Sequence, residues 1–309
     1  MKVLTQLDQI PAVARGGIVA IGNFDGVHKG HQALLAVAKE VARAQVLPLV
    51  VLTFEPHPRK LFRPDDPPFR ITPFPLKQQK LREFGVDYLV ALTFDWAFAS
   101  RSAEEFVRMI LQQGLEAAHI VVGEDFCFGQ LRKGTIDTLR AAGLEVTAVA
   151  PKGQALSHGE KYASSAVRQA LRQGRLEEAN QILGWDWEVW GEVVRGDQRG
   201  RELGYPTANI ALGEALHPAY GVYACLAQIE GEDRWWPSAT NIGIRPMFEI
   251  KVGQVEAHIL EGFDRDIYGK ILRVKPVRRL RGEAKFNSLE DLCRQISRDC
   301  DDSLRVLAA

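Results

Sequence analysis

The chain has 309 residues, about twice the size of a typical domain, so two domains with separate cores are expected. Its 46% hydrophobic and 25% charged residues exclude collagen-like, low-complexity and wholly disordered chains. Lys plus Arg and Asp plus Glu number 39 each, and the balance moves only from +3 over residues 1–184 to −3 over 185–309, so no surface built to attract nucleic acid or anionic membrane is expected.

Short apolar runs alternate with amphipathic stretches from Gly16 to about Gly184, the pattern of strand, helix, strand units in a parallel sheet. The strand candidates are Gly17 to Gly22, Leu47 to Phe54, Tyr88 to Phe94, Ile120 to Gly123 and Val146 to Ala150. After the first comes Gly22-Asn23-Phe24-Asp25-Gly26-Val27-His28-Lys29-Gly30-His31, which leads into a helix marked by Leu34, Leu35, Ala38, Val41 and Ala42. This order puts His28 and His31, an i, i+3 pair, at a helix N-terminus, where free N–H groups and the helix dipole attract phosphate. Two imidazoles add donors that can follow charge onto a leaving pyrophosphate, and Gly30 permits close approach to the backbone. Solvated histidines near a turn are the alternative for an isolated HxGH. The carboxyl end of a first strand, however, is where an α/β sheet forms its ligand crevice.

The Pro-rich piece from Pro56 to Pro75 shows no period and reads as an irregular excursion of the kind that covers ligand sites. Ser102 and Glu105 form a capping box ahead of Phe106, Val107, Ile110 and Leu111. A helical stretch, Arg168 to Leu183, then gives way to the Trp-rich Trp185 to Trp190, which sets the domain boundary at Gly184: 1–184 and 185–309.

Beyond it the runs Glu188 to Val194, Gly221 to Gln228, Val255 to Leu260 and Ile271 to Val277 are short, β-branched and separated by turn residues, so an antiparallel barrel or sandwich is expected. Arg195 to Asn209 reads RGDQRGRELGYPTAN: a glycine-rich loop that is neither a Walker A motif nor a dinucleotide fingerprint, and that a surface hairpin would also explain. Leu289 to Leu307 returns to a helical period, with Leu292, Ile296, Cys300 and Leu304 as the expected buried stripe. Four cysteines (Cys127, Cys225, Cys293, Cys300) form no CxxC pair, which suits a reducing compartment. The longest apolar run falls far short of the roughly 20 residues that span a bilayer, and Asp8 and Gln9 interrupt the N-terminal stretch, so a cytoplasmic location is expected.

The run GNFDGVHKGHQ strongly resembles the nucleotidyltransferase module of bacterial FAD synthetases, which are bifunctional riboflavin kinase/FMN adenylyltransferases. TFEPHP from Thr53 to Pro58, VVGEDFCFG from Val121 to Gly129 and SSAVR from Ser164 to Arg168 follow in the family's order. In the second half the PTAN tetrad, Gly221-Val222-Tyr223, Asn241-Ile242-Gly243 with Arg245-Pro246, Val255-Glu256-Ala257-His258, Asp266-Ile267-Tyr268-Gly269 and Leu280-Arg281 resemble riboflavin kinases, so the likeness covers nearly the whole chain.

The resemblance implies an α/β Rossmann-like nucleotidyltransferase domain followed by a mainly antiparallel β-barrel kinase domain with a C-terminal helix. It implies that riboflavin is phosphorylated by ATP to FMN, and that FMN is then adenylylated to FAD. By the same resemblance Gly22, Asn23, Asp25, His28, Gly30 and His31 hold ATP, and Ser164, Ser165 and Arg168 bind its phosphates. His57 and Asp125 are further candidate FMN or ATP contacts. Thr207 and Asn209 coordinate Mg²⁺ and the phosphates at the kinase site, and Glu256 takes the proton of the ribityl hydroxyl. Those oxygens suit Mg²⁺, and an N-terminal helix end with one fixed cation suits a triphosphate. The chain departs from the family pattern at Ala163, where a hydroxyl is missing, at Cys127, which replaces a basic residue between two phenylalanines, and at Met247, which replaces Thr. Two rivals stay open at this point: only one activity is retained, or the chain is a non-catalytic ATP- and flavin-binding module.

Overall fold

The computed structural model describes residues 1–150, 163–196, 199–247 and 250–308, without the side chains of Arg199, Arg201, 245–247 and 250–252. Asp197 and Gln198 of the glycine-rich loop, and the side chains of Arg245, Pro246 and Met247, therefore lie outside the described residues. Packing divides the chain into two compact units, residues 1–66 with 72–164, and residues 67–71 with 165–309.

The first unit holds strands β1 (Lys2–Leu4), β2 (Ile18–Ile21), β3 (Leu49–Glu55), β4 (Tyr88–Thr93), β5 (His119–Gly123) and β6 (Val146–Val149). They form one sheet in the order β1-β4-β3-β2-β5-β6, and every neighbouring pair is parallel. Both faces of β2 are covered: Val19 and Ile21 pack into one core with Leu52, Val90 and Phe106, while Ile18 and Ala20 pack into the other with Leu34, Leu35 and Val51. Burial on both faces is why this strand reads as an unbroken apolar run. Helix α1 (Lys29–Gln45) buries Leu34, Leu35, Ala38 and Ala42, as the spacing predicts.

The excursion after β3 contains a short helix α2 (Pro58–Phe62), and α3 (Phe74–Glu83) follows it. After α4 (Trp96–Ala99) the Ser102/Glu105 box caps α5 (Ala103–Glu105) with both reciprocal bonds. From there Phe106–Gly114 continues as a π-wound helix that buries Phe106, Val107, Ile110 and Leu111. Helix α6 (Ile136–Ala141) precedes β6.

The expected helix before Gly184 is two helices, α7 (Ser164–Arg172) and α8 (Leu176–Leu183), with Gly174 between them. All of it beyond Ser164 packs with the second unit, as do residues 67–71, where Phe69, Arg70 and Ile71 are buried. Trp187 Nε1 donates to Ile71 O at 3.1 Å. The other strands are β7 (Val189–Glu192), β8 (Ala208–Ala211), β9 (Gly221–Ile229), β10 (Trp236–Met247), β11 (Ile250–Ile259) and β12 (Ile271–Arg281), with the one-turn α9 (Arg199–Glu202) between β7 and β8. They form an antiparallel sheet in the order β7-β12-β9-β10-β11-β8. A bridge from Val194, just past β7, to Asn209 on β8 brings its two edges together into a nearly closed barrel.

Helix α10 (Leu289–Ala308) lies over β9, β10 and β12. Its expected stripe needs correction: Asp299 and Ser303 are its buried residues, and Leu304 is 39% exposed. Arg281 of β12 accounts for the rotation, because its guanidinium donates from Nε and Nη2 to the Asp299 carboxylate at 3.0 and 2.7 Å and turns that face inward. Inside the barrel, burial pushes the Cys225 thiol up to about 12, so that cysteine packs as a small hydrophobe. Among the described residues no helix is long and apolar enough to cross a membrane.

Candidate active sites

The sheet order reverses at β2, with β3 on one side and β5 on the other, and the crevice of an open α/β sheet forms at such a point. The turn from Gly22 to His28 occupies it. Phe24, Gly26 and Val27 there have φ of 49°, 90° and 38°. For the β-branched Val27 such a backbone costs about 1–3 kcal/mol and needs the surrounding structure to impose it. Phe24 and Val27 are fully buried, which supplies part of that constraint.

His28 is the N-cap of α1, its Nδ1 accepting from His31 N at 3.4 Å. A neutral imidazole that accepts at Nδ1 carries its proton on Nε2, which is then the donor. The His28 and His31 rings stack with centroids 3.7 Å apart, and His31 leans on Phe24 at 5.1 Å. Asn23 is exposed, and its carbonyl accepts from Thr53 Oγ1 at 3.3 Å. Asp25 is 1% exposed, with its carboxylate bonded to Thr72 N at 3.0 Å. Ser164 Oγ donates to Asp25 O at 2.8 Å.

The structure thus gathers Gly22, Asn23, Asp25, His28, Gly30, His31 and Ser164. Ser165 and Arg168 belong to the second unit, where Ser165 is exposed and Arg168 donates from Nε to Phe69 O at 2.9 Å. His57 is 8% exposed and caps α2, its Nδ1 accepting from Arg59 N. Asp125 is exposed just past β5.

One feature escapes the sequence patterns. Phe62 of α2 and Trp96 of α4 are 55% and 63% exposed, meet edge to face at 5.7 Å, and continue through Phe94 and Phe54 into the core. This makes an open aromatic platform at the carboxyl ends of β3 and β4. A cluster within Phe94-Asp95-Trp96-Ala97-Phe98 is the only local signal for it.

In the second unit a cavity of about 300 Å³ is lined by Thr207 and Asn209, by Ala257 and Ile259 of β11, and by the segment from Phe263 to Tyr268. Asn209 is 5% exposed. Its Nδ2 donates to Thr207 O at 3.1 Å, and its Oδ1 accepts from Gln254 Nε2 at 2.6 Å. A Cβ on Gly196 would come within 2.8 Å of three atoms of the Asn209 amide, so only glycine lets the loop backbone lie there. Glu256 is half-buried and stands in register between Asn209 of β8 and Asn241 of β10. It does not itself line the cavity, whereas Ala257 and Ile259 do. His258 shares the face of Glu256 and donates from Nδ1 to Pro206 O at 2.7 Å. Just before β9, Tyr220 meets His217 Nδ1 at 2.8 Å, its phenol held above the ordinary range by burial and by the Glu283 carboxylate. Thr207 and Asn209, two apart in sequence, therefore share with Glu256 one face of the sheet edge.

Comparison with known proteins matches the two halves of the chain to two family models. The family model of FAD synthetase matches residues 10–166, and that of riboflavin kinase matches residues 183–307. The bifunctional riboflavin kinase/FMN adenylyltransferase of Escherichia coli strain K12 is 40% identical over 300 residues, covering 97% of this chain and 95% of that one. The enzymes of the same description from Pseudomonas fluorescens and Bacillus subtilis strain 168 are 37% and 35% identical, over 100% and 94% of this chain and 98% and 92% of theirs. A solved chain described as a macrolide-efflux protein from Streptococcus pneumoniae superposes with a TM-score of 0.84 at 33% identity, covering 97% of both chains.

Proposed function

The chain belongs to the family of bifunctional riboflavin kinase/FMN adenylyltransferases, and from that premise we propose which of its residues carry each activity. The protein phosphorylates riboflavin to FMN with ATP, and adenylylates FMN to FAD with release of pyrophosphate. One observation carries the division of labour. The turn before α1 offers imidazoles and N–H groups, and its buried carboxylate, Asp25, is engaged by Thr72. The barrel offers a half-buried carboxylate, Glu256, in register with Asn209.

At the barrel the nucleophile is a neutral alcohol. Glu256 takes the proton of the riboflavin 5′-hydroxyl as its oxygen bonds to the γ-phosphorus of ATP and the bond to ADP breaks. ATP lies in the cavity, and its γ-phosphate meets the hydroxyl at Asn209, which lines the cavity and pairs with Glu256 across the sheet edge. Thr207 Oγ1 and Asn209 Oδ1 are hard oxygens that fit Mg²⁺: Oδ1 uses one lone pair on Gln254 and keeps a second. The bound ion supplies charge neutralisation of the phosphates. Both protein ligands are neutral, so Thr207 and Asn209 would hold the ion together with the ATP phosphates rather than alone.

At the turn the nucleophile is the FMN phosphate, already anionic at pH 7, so alignment and charge stabilisation suffice. Its oxygen bonds to the α-phosphorus of a second ATP, and pyrophosphate leaves with its charge met by His28 Nε2–H, His31 and the first N–H groups of α1. Ser164, bonded to Asp25 O, belongs with this turn, while the phosphate roles of Ser165 and Arg168 rest on the family resemblance alone. The platform of Phe62 and Trp96 takes the isoalloxazine ring by stacking. His57 sets α2, and hence Phe62, while Asp125 flanks the crevice from β5.

Mixing the purified chain with riboflavin, ATP and Mg²⁺ and separating the products by chromatography tests the pair of activities. FMN and FAD should both form, and a single product would leave one site degenerate. We further propose that a fragment starting at Trp185 keeps riboflavin phosphorylation. It should melt below one starting at Ser165, because Leu171, Leu176, Ile182 and Leu183 are buried within the second unit. A cooperatively folded 185–309 fragment that makes no FMN would put the kinase elsewhere.

A further inference from the structure

We propose that Thr72 is a positioning residue for adenylyl transfer, holding the histidine-bearing turn in its working shape; this rests on the assignment of that transfer to His28 and His31. Thr72 comes 47 residues after Asp25, is fully buried, and lies near the end of the Pro-rich excursion, with no chemistry of its own to suggest a site. Yet it makes three bonds to the turn. Its backbone N–H donates to Asp25 Oδ1 at 3.0 Å and its hydroxyl donates to the same oxygen at 3.3 Å. The hydroxyl in turn accepts from Gly26 N at 2.8 Å.

One hydroxyl thus fastens both the Asp25 carboxylate and the Gly26 amide. Those two residues sit inside the stretch where Phe24, Gly26 and Val27 have left-handed backbones. Such a stretch persists only where the surroundings over-determine it. Its conformation sets where α1 begins, and with it the direction of the His28 and His31 rings and of the first N–H groups. The same turn receives Ser164, whose hydroxyl donates to Asp25 O, so Ser164 too is located by the element that Thr72 holds. Asp25 accordingly acts through the backbone it anchors, with its carboxylate directed at Thr72.

In a preorganised site a displacement of about 1 Å can cost roughly 10² in rate. Thr72→Val keeps shape and backbone N–H but removes the hydroxyl, leaving the buried Gly26 amide without this acceptor and Asp25 with one donor fewer. Thr72→Ser keeps the hydroxyl. In the full-length protein, initial rates of FAD formation from FMN and of FMN formation from riboflavin are measured for both variants, with His31→Ala alongside. The expected result for Thr72→Val is a fall of about 10- to 100-fold in kcat for FAD formation, an unchanged KM for FMN, and riboflavin phosphorylation within twofold of the parent. Thr72→Ser should restore most of the lost kcat. Parental FAD formation in Thr72→Val, an equal loss in both Thr72 variants, or an equal loss of both activities would overturn the inference. If His31→Ala is slow while Thr72→Val is not, Thr72 alone is discarded; if neither is slow, the assignment of the site falls with it.

Discussion

Replacing Glu256 with Gln is expected to slow riboflavin phosphorylation by about 10² or more while FAD formation from supplied FMN keeps its parental rate. The substitution preserves size and hydrogen-bonding reach but removes the proton acceptor from the row Asn209, Glu256, Asn241. The two steps respond differently because their nucleophiles differ: an alcohol must lose a proton as it attacks, whereas a phosphate oxygen is already anionic. Starting from riboflavin, the variant should make little of either flavin nucleotide, and adding FMN should restore FAD. Initial rates with each substrate at saturating ATP and Mg²⁺ provide the comparison. A folded Gln variant that phosphorylates riboflavin at the parental rate would reduce Glu256 to an ordinary strand carboxylate.

The parallel sheet was legible because its central strands are buried on both faces, so Ile18–Ile21 and Leu49–Leu52 appear as unbroken apolar runs. Strand β10 was not legible for the opposite reason. It carries Pro237 and Pro246, and two of its fully buried positions are Ser238 and Thr240. The Ser238 hydroxyl bonds to Cys225 O and to Thr240, so polar residues pack inside the barrel and the alternation of apolar positions is lost. The edge strand β1 is three residues long, too short to show a period. The stripe of α10 was legible only in part: Leu292, Ile296 and Cys300 are half-buried, but Asp299 is buried by its ion pair with Arg281, and no hydropathy pattern encodes a partner on another strand.

The candidate sites divide in the same way. Where functional groups sit within ten residues of one another, as from Gly22 to His31, helix-start chemistry can be read directly. Phe62 and Trp96 come from two short helices 34 residues apart, and Thr72 reaches Asp25 across 47; only folding brings them together. Glu256 and Asn209 are likewise distant in sequence, and antiparallel register alone makes them neighbours.

Replacing either His28 or His31 with Ala is expected to slow FAD formation from FMN by roughly 10² to 10³, the scale of losing one preorganised donor to a developing charge. Riboflavin phosphorylation should stay near its parental rate, since its residues lie in the other compact unit. The two variants need not be equal. His28 is 6% exposed, caps α1 and stacks on His31, so His28→Ala also removes the N-cap acceptor, a loss of about 1 kcal/mol of helix stability. His28→Asn separates these effects: its carbonyl oxygen restores the cap, but its amide cannot reproduce the Nε2–H donor at the same distance. If the donor matters, His28→Asn should regain thermal stability without regaining kcat. Recovery of kcat together with the cap would mean that His28 serves catalysis by starting the helix, and His31 with the N–H groups of α1 would then carry the charge of the leaving pyrophosphate.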